Sequence, residues 1–290
     1  MMRTDRSAMT KISAVVSDVD GTLVTDEKLL TERTKAAVEA LHARGIMFSI
    51  ISSRPPRGLR TLIEALNVAV PFGCLNGGLI AAPDFSVISE HLLPRSVAQR
   101  TVDMLGAIGA QSWLFAGKDW ITRDADAPYV ALEQRTVGFP PTVVEDLAPF
   151  LDHTGKIVGV SPDFDRLAQY ENDLRAALAG EASVARSQPQ YLDVTHLLAN
   201  KGAAFLAIAD LLSVPPREIA VIGDGGNDIA MFEQAGVSVA MGNADARVRA
   251  AANFLTQSNR EEGFANAIER FLLHPNHAIS FDRSRVGAQR

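Results

Sequence analysis

The chain has 290 residues, 47% of them hydrophobic, and a formal net charge of −6. The apolar share supports a packed core and excludes intrinsic disorder, while the length suggests about two domains. The acidic balance excludes a general nucleic-acid binder, which needs a basic footprint, so no nucleic-acid polymer is expected as a partner.

In chain order, Ile12 to Val16 is a short β-branched run ending at Asp18, which reads as a buried strand. Thr31 caps a helix that Gly45 closes. Ile46 to Ile51 is the second strand, Leu59 to Leu66 is helical in pattern, and Val70 to Leu75 is a third strand ending at Asn76-Gly77-Gly78. This β-α-β-α-β order with short links predicts a parallel sheet with helices on its faces.

The texture changes near Ala82-Pro83. Residues 84–189 carry 15 acidic and 9 basic side chains, so the whole net charge sits there. Two helical stretches, 96–109 and 164–178, mix with strand-like pieces at 112–115, 120–122, 156–160 and 191–194. An inserted α+β domain over 84–189 is expected, between core segments 1–83 and 190–290. The α/β rhythm then returns: a helix over 202–212, a strand over 218–222, a helix opening at Asp228, a strand over 237–241, a helix over 244–251, a short strand at Phe254-Leu255 and a helical stretch over 263–272.

Met1 to Lys11 is polar and lacks the apolar stretch of a signal peptide, and no run approaches the ~18 apolar residues of a membrane span. The single cysteine, Cys74, excludes an intramolecular disulfide, fits a reducing compartment and reads as a small buried apolar residue. A cytoplasmic protein without a membrane partner is expected.

Four polar clusters stand beside apolar runs. Asp18 and Asp20 are two residues apart, so in an extended chain they point the same way. Two such carboxylates repel unless a cation intervenes, and Mg²⁺ would leave Asp18 ionised as a nucleophile. An ordinary Asp-Gly turn capped by Thr22 explains the same residues. A calcium loop does not, because its sixth and twelfth positions would be Leu23 and Leu29. Ser52, Ser53 and Arg54 offer hydroxyls and backbone N–H groups to a phosphate oxygen, or form a plain polar loop before Pro55-Pro56. Lys201 opens a helix, where its charge opposes the dipole, so it suits an anion site or a free surface position. In Gly223-Asp224-Gly225-Gly226-Asn227-Asp228 the glycines allow close backbone approach, and a single cap does not explain three polar residues. A dinucleotide fingerprint fails there, since its last glycine would be Asp228, and the chain has no nucleotide P-loop. His42, His91, His153, His196, His274 and His277 show no metal-ligand spacing.

Taken together, Asp18-Val-Asp-Gly-Thr-Leu, Ser52, Lys201 and Gly223-Asp224-Gly-Gly-Asn-Asp228 resemble, in order and spacing, the four motifs of the haloacid dehalogenase (HAD) superfamily of phosphatases. The Cof-type branch, with a large α/β cap between its second and third motifs, is the most similar. Leu75-Asn76-Gly77-Gly78 and Tyr191-Leu-Asp-Val-Thr-His196 add to that likeness, and Ser53 departs from it, standing where the family usually has glycine. The resemblance implies a Rossmann-like parallel core with an inserted cap, and hydrolysis of small phosphorylated metabolites, sugar phosphates above all.

The roles it implies are specific. Asp18 is the nucleophile and Asp20 the acid/base. Mg²⁺ is held by the Asp18 carboxylate, the Asp20 backbone carbonyl and Asp224, with Asp228 supporting from behind. Ser52, Lys201 and Asn227, with Ser53 alongside, hold the phosphate. Cap residues Trp113, Trp120, Arg123, Asp124 and Tyr129 could touch the leaving group, although core packing is the commoner role for tryptophan. A phosphomutase with the same core chemistry and a non-catalytic phosphometabolite sensor are the alternatives. An intact nucleophile speaks against the sensor.

Overall fold

The computed structural model describes residues 11–273; residues 1–10 and 274–290, with His274 and His277, lie outside that range. The first part of the chain forms β1 (Ala14–Ser17), α1 (Glu32–Ala43), β2 (Met47–Ile50), α2 (Arg60–Ala65), β3 (Phe72–Cys74), β4 (Leu79–Ala81) and β5 (Val87–Glu90). The middle forms α3 (Arg95–Ala107), β6 (Gln111–Ala116), β7 (Asp119–Thr122), α4 (Val130–Val137), β8 (Thr142–Val143), β9 (Thr154–Val160), α5 (Phe164–Ala177), β10 (Ala182–Gln188) and β11 (Tyr191–His196). The last part forms α6 (Lys201–Leu211), β12 (Ile219–Gly223), α7 (Ile229–Phe232), β13 (Val237–Ala240), α8 (Ala246–Ala251), β14 (Phe254–Leu255) and α9 (Gly263–Ala267). Among the described residues, no helix is long and apolar enough to cross a membrane.

A parallel sheet of order β14-β13-β12-β1-β2 forms the core. Apart from the edge strand β14, its strands are largely buried on both faces, which is why they read as continuous apolar runs. Val15, Phe48, Ile50 and Ile222 point to one face and pack with Val38 and Leu41 of α1 and Phe264 of α9. Ala14, Val16, Ile219 and Val221 point to the other and pack with Phe205 and Ile208 of α6 and Met231 of α7. Thr31 caps α1 as expected, accepting from the Thr34 N–H at 3.1 Å.

Two expectations need correction. The third strand does not extend the parallel sheet. It touches it through one bridge, Ile51 to Gly73, and instead begins a three-stranded antiparallel sheet, β3-β4-β5. Leu75 and Asn76 both take positive φ (51° and 59°), which turns the chain back on itself immediately after β3. The helix expected from Asp228 is only one 3₁₀ turn followed by the four residues of α7, so its dipole is a weak source of anion affinity.

The second large sheet has the order β10-β11-β9-β6-β7-β8, so Tyr191–His196 is one of its strands, while Val87–Glu90 pairs with β4 outside it. One face of this sheet, with Leu114, Ile157, Leu192 and Val194, packs against α3 and α5 through Leu105, Leu167 and Leu174. The opposite face carries Trp113, Phe115, Val158 and Tyr191, which share a single core cluster with Phe72 and Leu75.

Candidate active site

The strand order decides where the chemistry converges. β1 lies between β12 and β2, with Ser17 level with Ile222 on one side and Ile50 on the other. The residues just past those three strand ends, Asp18, Asp224 and Ser52, therefore emerge side by side at the carboxyl edge of a parallel sheet, where open α/β folds bind ligands.

Lys201 is the first residue of α6, and the Asn200 side chain caps that helix by accepting from the Ala203 N–H at 2.8 Å. It is not a surface lysine. Its side chain is buried, with Nζ 2.5 Å from Asp18 Oδ1 and 2.6 Å from Asp228 Oδ1. The second oxygen of Asp228 accepts from the backbone N–H groups of Asp224 (2.9 Å) and Gly225 (2.8 Å). Asp228 thus closes the Gly223–Asp228 turn and orients Lys201 at once. Gly223 is required there, since a Cβ on it would lie 2.4 Å from Asp228 Oδ2.

Asp224 accepts from Thr22 Oγ1 at 2.9 Å and from Asn243 Nδ2 at 3.0 Å, one on each oxygen. Gly21, at φ +84°, passes so close that a Cβ would sit 2.2 Å from Asp224 Oδ2. Asp18, Asp224 and Asp228 each present an oxygen within 4.8 Å of the others. Burial pushes the Asp18 carboxyl well above the usual range, against the pull of Lys201. Burial and then the Asp228 charge take Asp224 up to about 6. Three clustered carboxylates meet one ammonium, so the cluster is short of positive charge. The cluster could hold a metal ion, and its all-oxygen donors suit a hard divalent cation such as Mg²⁺.

Asp20 does not share that cluster, contrary to the simple picture of two carboxylates facing one another. Arg54 grips it with two bonds, Nε to Oδ2 at 2.8 Å and Nη2 to Oδ1 at 2.7 Å, and Lys28 Nζ lies 2.8 Å from Oδ1. Burial would raise this carboxyl, but the two cations outweigh it and hold it at about 2. The repulsion foreseen between Asp18 and Asp20 is relieved by giving each its own cation.

Ser52 is buried past the end of β2, its Oγ accepting from the Arg54 N–H at 3.2 Å, and Ser53 is half-buried beside it. The Leu75-Asn76 turn is stitched to this loop, Asn76 N–H donating to Ser52 O at 2.9 Å and Leu75 N–H to Arg54 O at 3.0 Å. Asn227 is exposed and donates to Asn76 Oδ1 at 2.9 Å. Arg54, Lys28, Thr22, Asn76 and Asn243 complete the site beyond the residues assigned from sequence. Arg54 lay inside a recognised cluster, and Asn243 follows a strand end as the others do. Lys28 had no local signal: its reach to Asp20 follows from a loop residue at φ 64°.

Cys74 is fully buried, and burial pushes its thiol up, consistent with a packing role. Arg123 and Asp124 are exposed.

Comparison with known proteins points the same way. The profile of the haloacid dehalogenase-like hydrolases matches residues 15–268. The 5-amino-6-(5-phospho-D-ribitylamino)uracil phosphatase YcsE of Bacillus subtilis (strain 168) is 27% identical over 265 residues, covering 90% of this chain and 96% of that protein. The HMP-PP phosphatase of Cronobacter sakazakii is 27% identical over 227 residues, covering 78% of this chain and 83% of its own length. Among solved structures, a haloacid dehalogenase-like hydrolase from Bacteroides thetaiotaomicron superposes with a TM-score of 0.82 at 28% identity, covering 90% of this chain and 99% of that one.

Proposed function

The chain belongs to the haloacid dehalogenase-like hydrolases, and on that premise we propose that it is a Mg²⁺-dependent phosphatase of small phosphorylated metabolites, sugar phosphates first, acting through an aspartyl-phosphate on Asp18. The observation that carries the reading is the meeting of Asp18, Asp224 and Asp228 within 4.8 Å around the buried Lys201 ammonium. An ion pair built only for stability has no use for three carboxylates.

In the first half-reaction an Asp18 oxygen attacks phosphorus, the bond to the leaving oxygen breaks, and that oxygen takes a proton from Asp20. In the second, Asp20 takes a proton from water, the hydroxide attacks phosphorus, and the Asp18–phosphorus bond breaks to release phosphate. Lys201, Ser52, Ser53 and Asn227 hold the non-bridging oxygens. The Asp18 carboxylate, the Asp20 backbone carbonyl and Asp224, with Asp228 behind, would hold Mg²⁺, which would supply positive charge against the phosphoryl oxygens. Clamped by Arg54 and Lys28, Asp20 is a carboxylate ready for the second half-reaction. Its part in the first requires those contacts to loosen once substrate is bound.

The six-stranded unit, from Leu93 to His196 by sheet and core membership, serves as a cap over this site, and the rest of the described chain serves as the catalytic core. A phosphate-release screen over phosphorylated metabolites, with and without Mg²⁺, tests the reading. Asp18→Asn should fold normally by circular dichroism and lose turnover by a factor on the order of 10³ or more. Substantial turnover in that variant would remove Asp18 as the nucleophile.

A further inference from the structure

We propose that Asn243 is a positioning residue for the metal site: its neutral amide, anchored by Asn259, holds the Asp224 carboxylate and the Asp20–Gly21 backbone at one spacing. This role rests on the phosphatase reading, which supplies Asp224 and the Asp20 carbonyl as groups that would hold Mg²⁺.

Asn243 stands in the loop after β13, the strand next to β12 in the parallel sheet, so it emerges at the same carboxyl edge as Asp18 and Asp224. All of its amide is used. Nδ2 donates to Gly21 O at 2.9 Å and to Asp224 Oδ2 at 3.0 Å, and Oδ1 accepts from the Asn259 N–H at 3.0 Å. An amide nitrogen has two hydrogens, and here each has its own oxygen. The neighbours therefore fix which way round the amide sits.

The two acceptors come from distant parts of the chain. Gly21 follows Asp20 in the turn after β1, and Asp224 follows β12. One side chain thus bridges two segments that would share one cation. Mg²⁺ tolerates little error in such spacing, because it demands near-octahedral geometry.

The amide is itself held from behind. Asn259 is buried, and its Nδ2 donates to Val24 O at 3.1 Å and to Asp26 Oδ1 at 2.9 Å. Val24 is bridged to Asp20, so this run of bonds returns to the segment it started from. Gly242 has no room for a Cβ, which would lie 2.7 Å from Ser258 N, and its N–H donates to Gln257 O at 2.9 Å. Backbone pressed on backbone leaves Asn243 little freedom to move.

Stability alone does not account for the arrangement. Asn243 is exposed, so water could serve its partners in its absence, and ordering its side chain costs rotamer entropy. Its lack of charge is what the site needs. A carboxylate here would add a fourth negative group to Asp18, Asp224 and Asp228, and a lysine or arginine would compete with a cation for Asp224. A neutral double donor orients the carboxylate and leaves its charge for the metal.

Calorimetric titration of MgCl₂ into wild type, Asn243→Ala and Asp245→Ala tests the role. Asp245 lies two residues on in the same loop and caps α8, accepting from the Val248 N–H at 2.8 Å, so its loss weakens the loop and removes no bond to Asp224 or Gly21. Asn243→Ala should lower Mg²⁺ affinity about tenfold, whereas Asp245→Ala should lower Tm and change the affinity less than about twofold. With p-nitrophenyl phosphate, the Mg²⁺ concentration for half-maximal rate should rise in Asn243→Ala by the same factor, and saturating Mg²⁺ should restore kcat to within about threefold of wild type. Asn243→Ser, whose single short donor cannot serve both oxygens, takes the place of the alanine variant if that one does not fold. Unchanged affinity at position 243, equal losses at 243 and 245, or a kcat that saturating Mg²⁺ does not restore would overturn the positioning role. Wild type that binds Mg²⁺ and releases no phosphate would refute the phosphatase reading, and the calorimetric comparison would still decide Asn243. Wild type that binds no Mg²⁺ would overturn both.

Discussion

Replacing Asp224 with Asn should stabilise the metal-free protein at neutral pH while removing its response to Mg²⁺. Burial and the neighbouring Asp228 lift the Asp224 carboxyl from 3.8 to about 6. The folded state therefore keeps a proton that the unfolded chain gives up, and the stability this brings is complete below about pH 4 and lost as pH rises through about 6. At 1.36 kcal/mol per pH unit the gap amounts to about 3 kcal/mol of strain at neutral pH. Asparagine does not ionise and escapes that strain. It has one acceptor oxygen where Asp224 serves both Thr22 and Asn243, so one hydrogen bond worth about 1 kcal/mol is lost. The net expectation is a gain of about 2 kcal/mol near pH 7.5 and a loss of about 1 kcal/mol near pH 4. Urea denaturation followed by circular dichroism, in EDTA at both pH values, measures the difference. Saturating Mg²⁺ should then raise the wild-type midpoint, because ligand binding stabilises the folded state, and leave the variant where it was. A variant destabilised equally at both pH values, or one that Mg²⁺ still stabilises, would refute the assignment of Asp224 to a cation-deficient metal cluster.

Other expectations follow from the same geometry. Lys201→Met removes both hydrogen bonds of a buried ammonium and should cost about 3–5 kcal/mol in denaturation and on the order of 10²–10³ in kcat. Gly21→Ala places a methyl on the Asp224 carboxylate at a φ that disfavours alanine, so calorimetry should show Mg²⁺ affinity falling at least about tenfold, with a lowered Tm. Arg54→Gln frees Asp20 from the grip that holds it at about 2. The stability from that grip is present above about pH 4 and lost as pH falls toward 2, so the variant should be less stable by about 2 kcal/mol at neutral pH and should lose less on acidification. An acid titration of wild type and variant showing parallel curves would contradict this.

The α/β core and the positions of its reactive residues were legible in the sequence because the signals are local. Buried parallel strands read as short apolar runs, and polar residues at their ends stand out, as Asp18, Ser52 and Asp224 do. Thr31 announced its helix because capping acts within four residues. What the sequence by itself determined, then, was which elements form and which side chains emerge at their ends. Tertiary structure alone decided who meets whom: Asp20 with Arg54 and Lys28 rather than with Asp18, Lys201 buried between Asp18 and Asp228, Tyr191–His196 enrolled in the six-stranded sheet, and β3 turned away from the parallel one. Lys201 and Asp18 stand 183 residues apart, and no propensity acts over such a distance. Their encounter, and the charge deficit it leaves around Asp224, comes from strand order and packing, which bring the ends of β1, β2 and β12 to one edge.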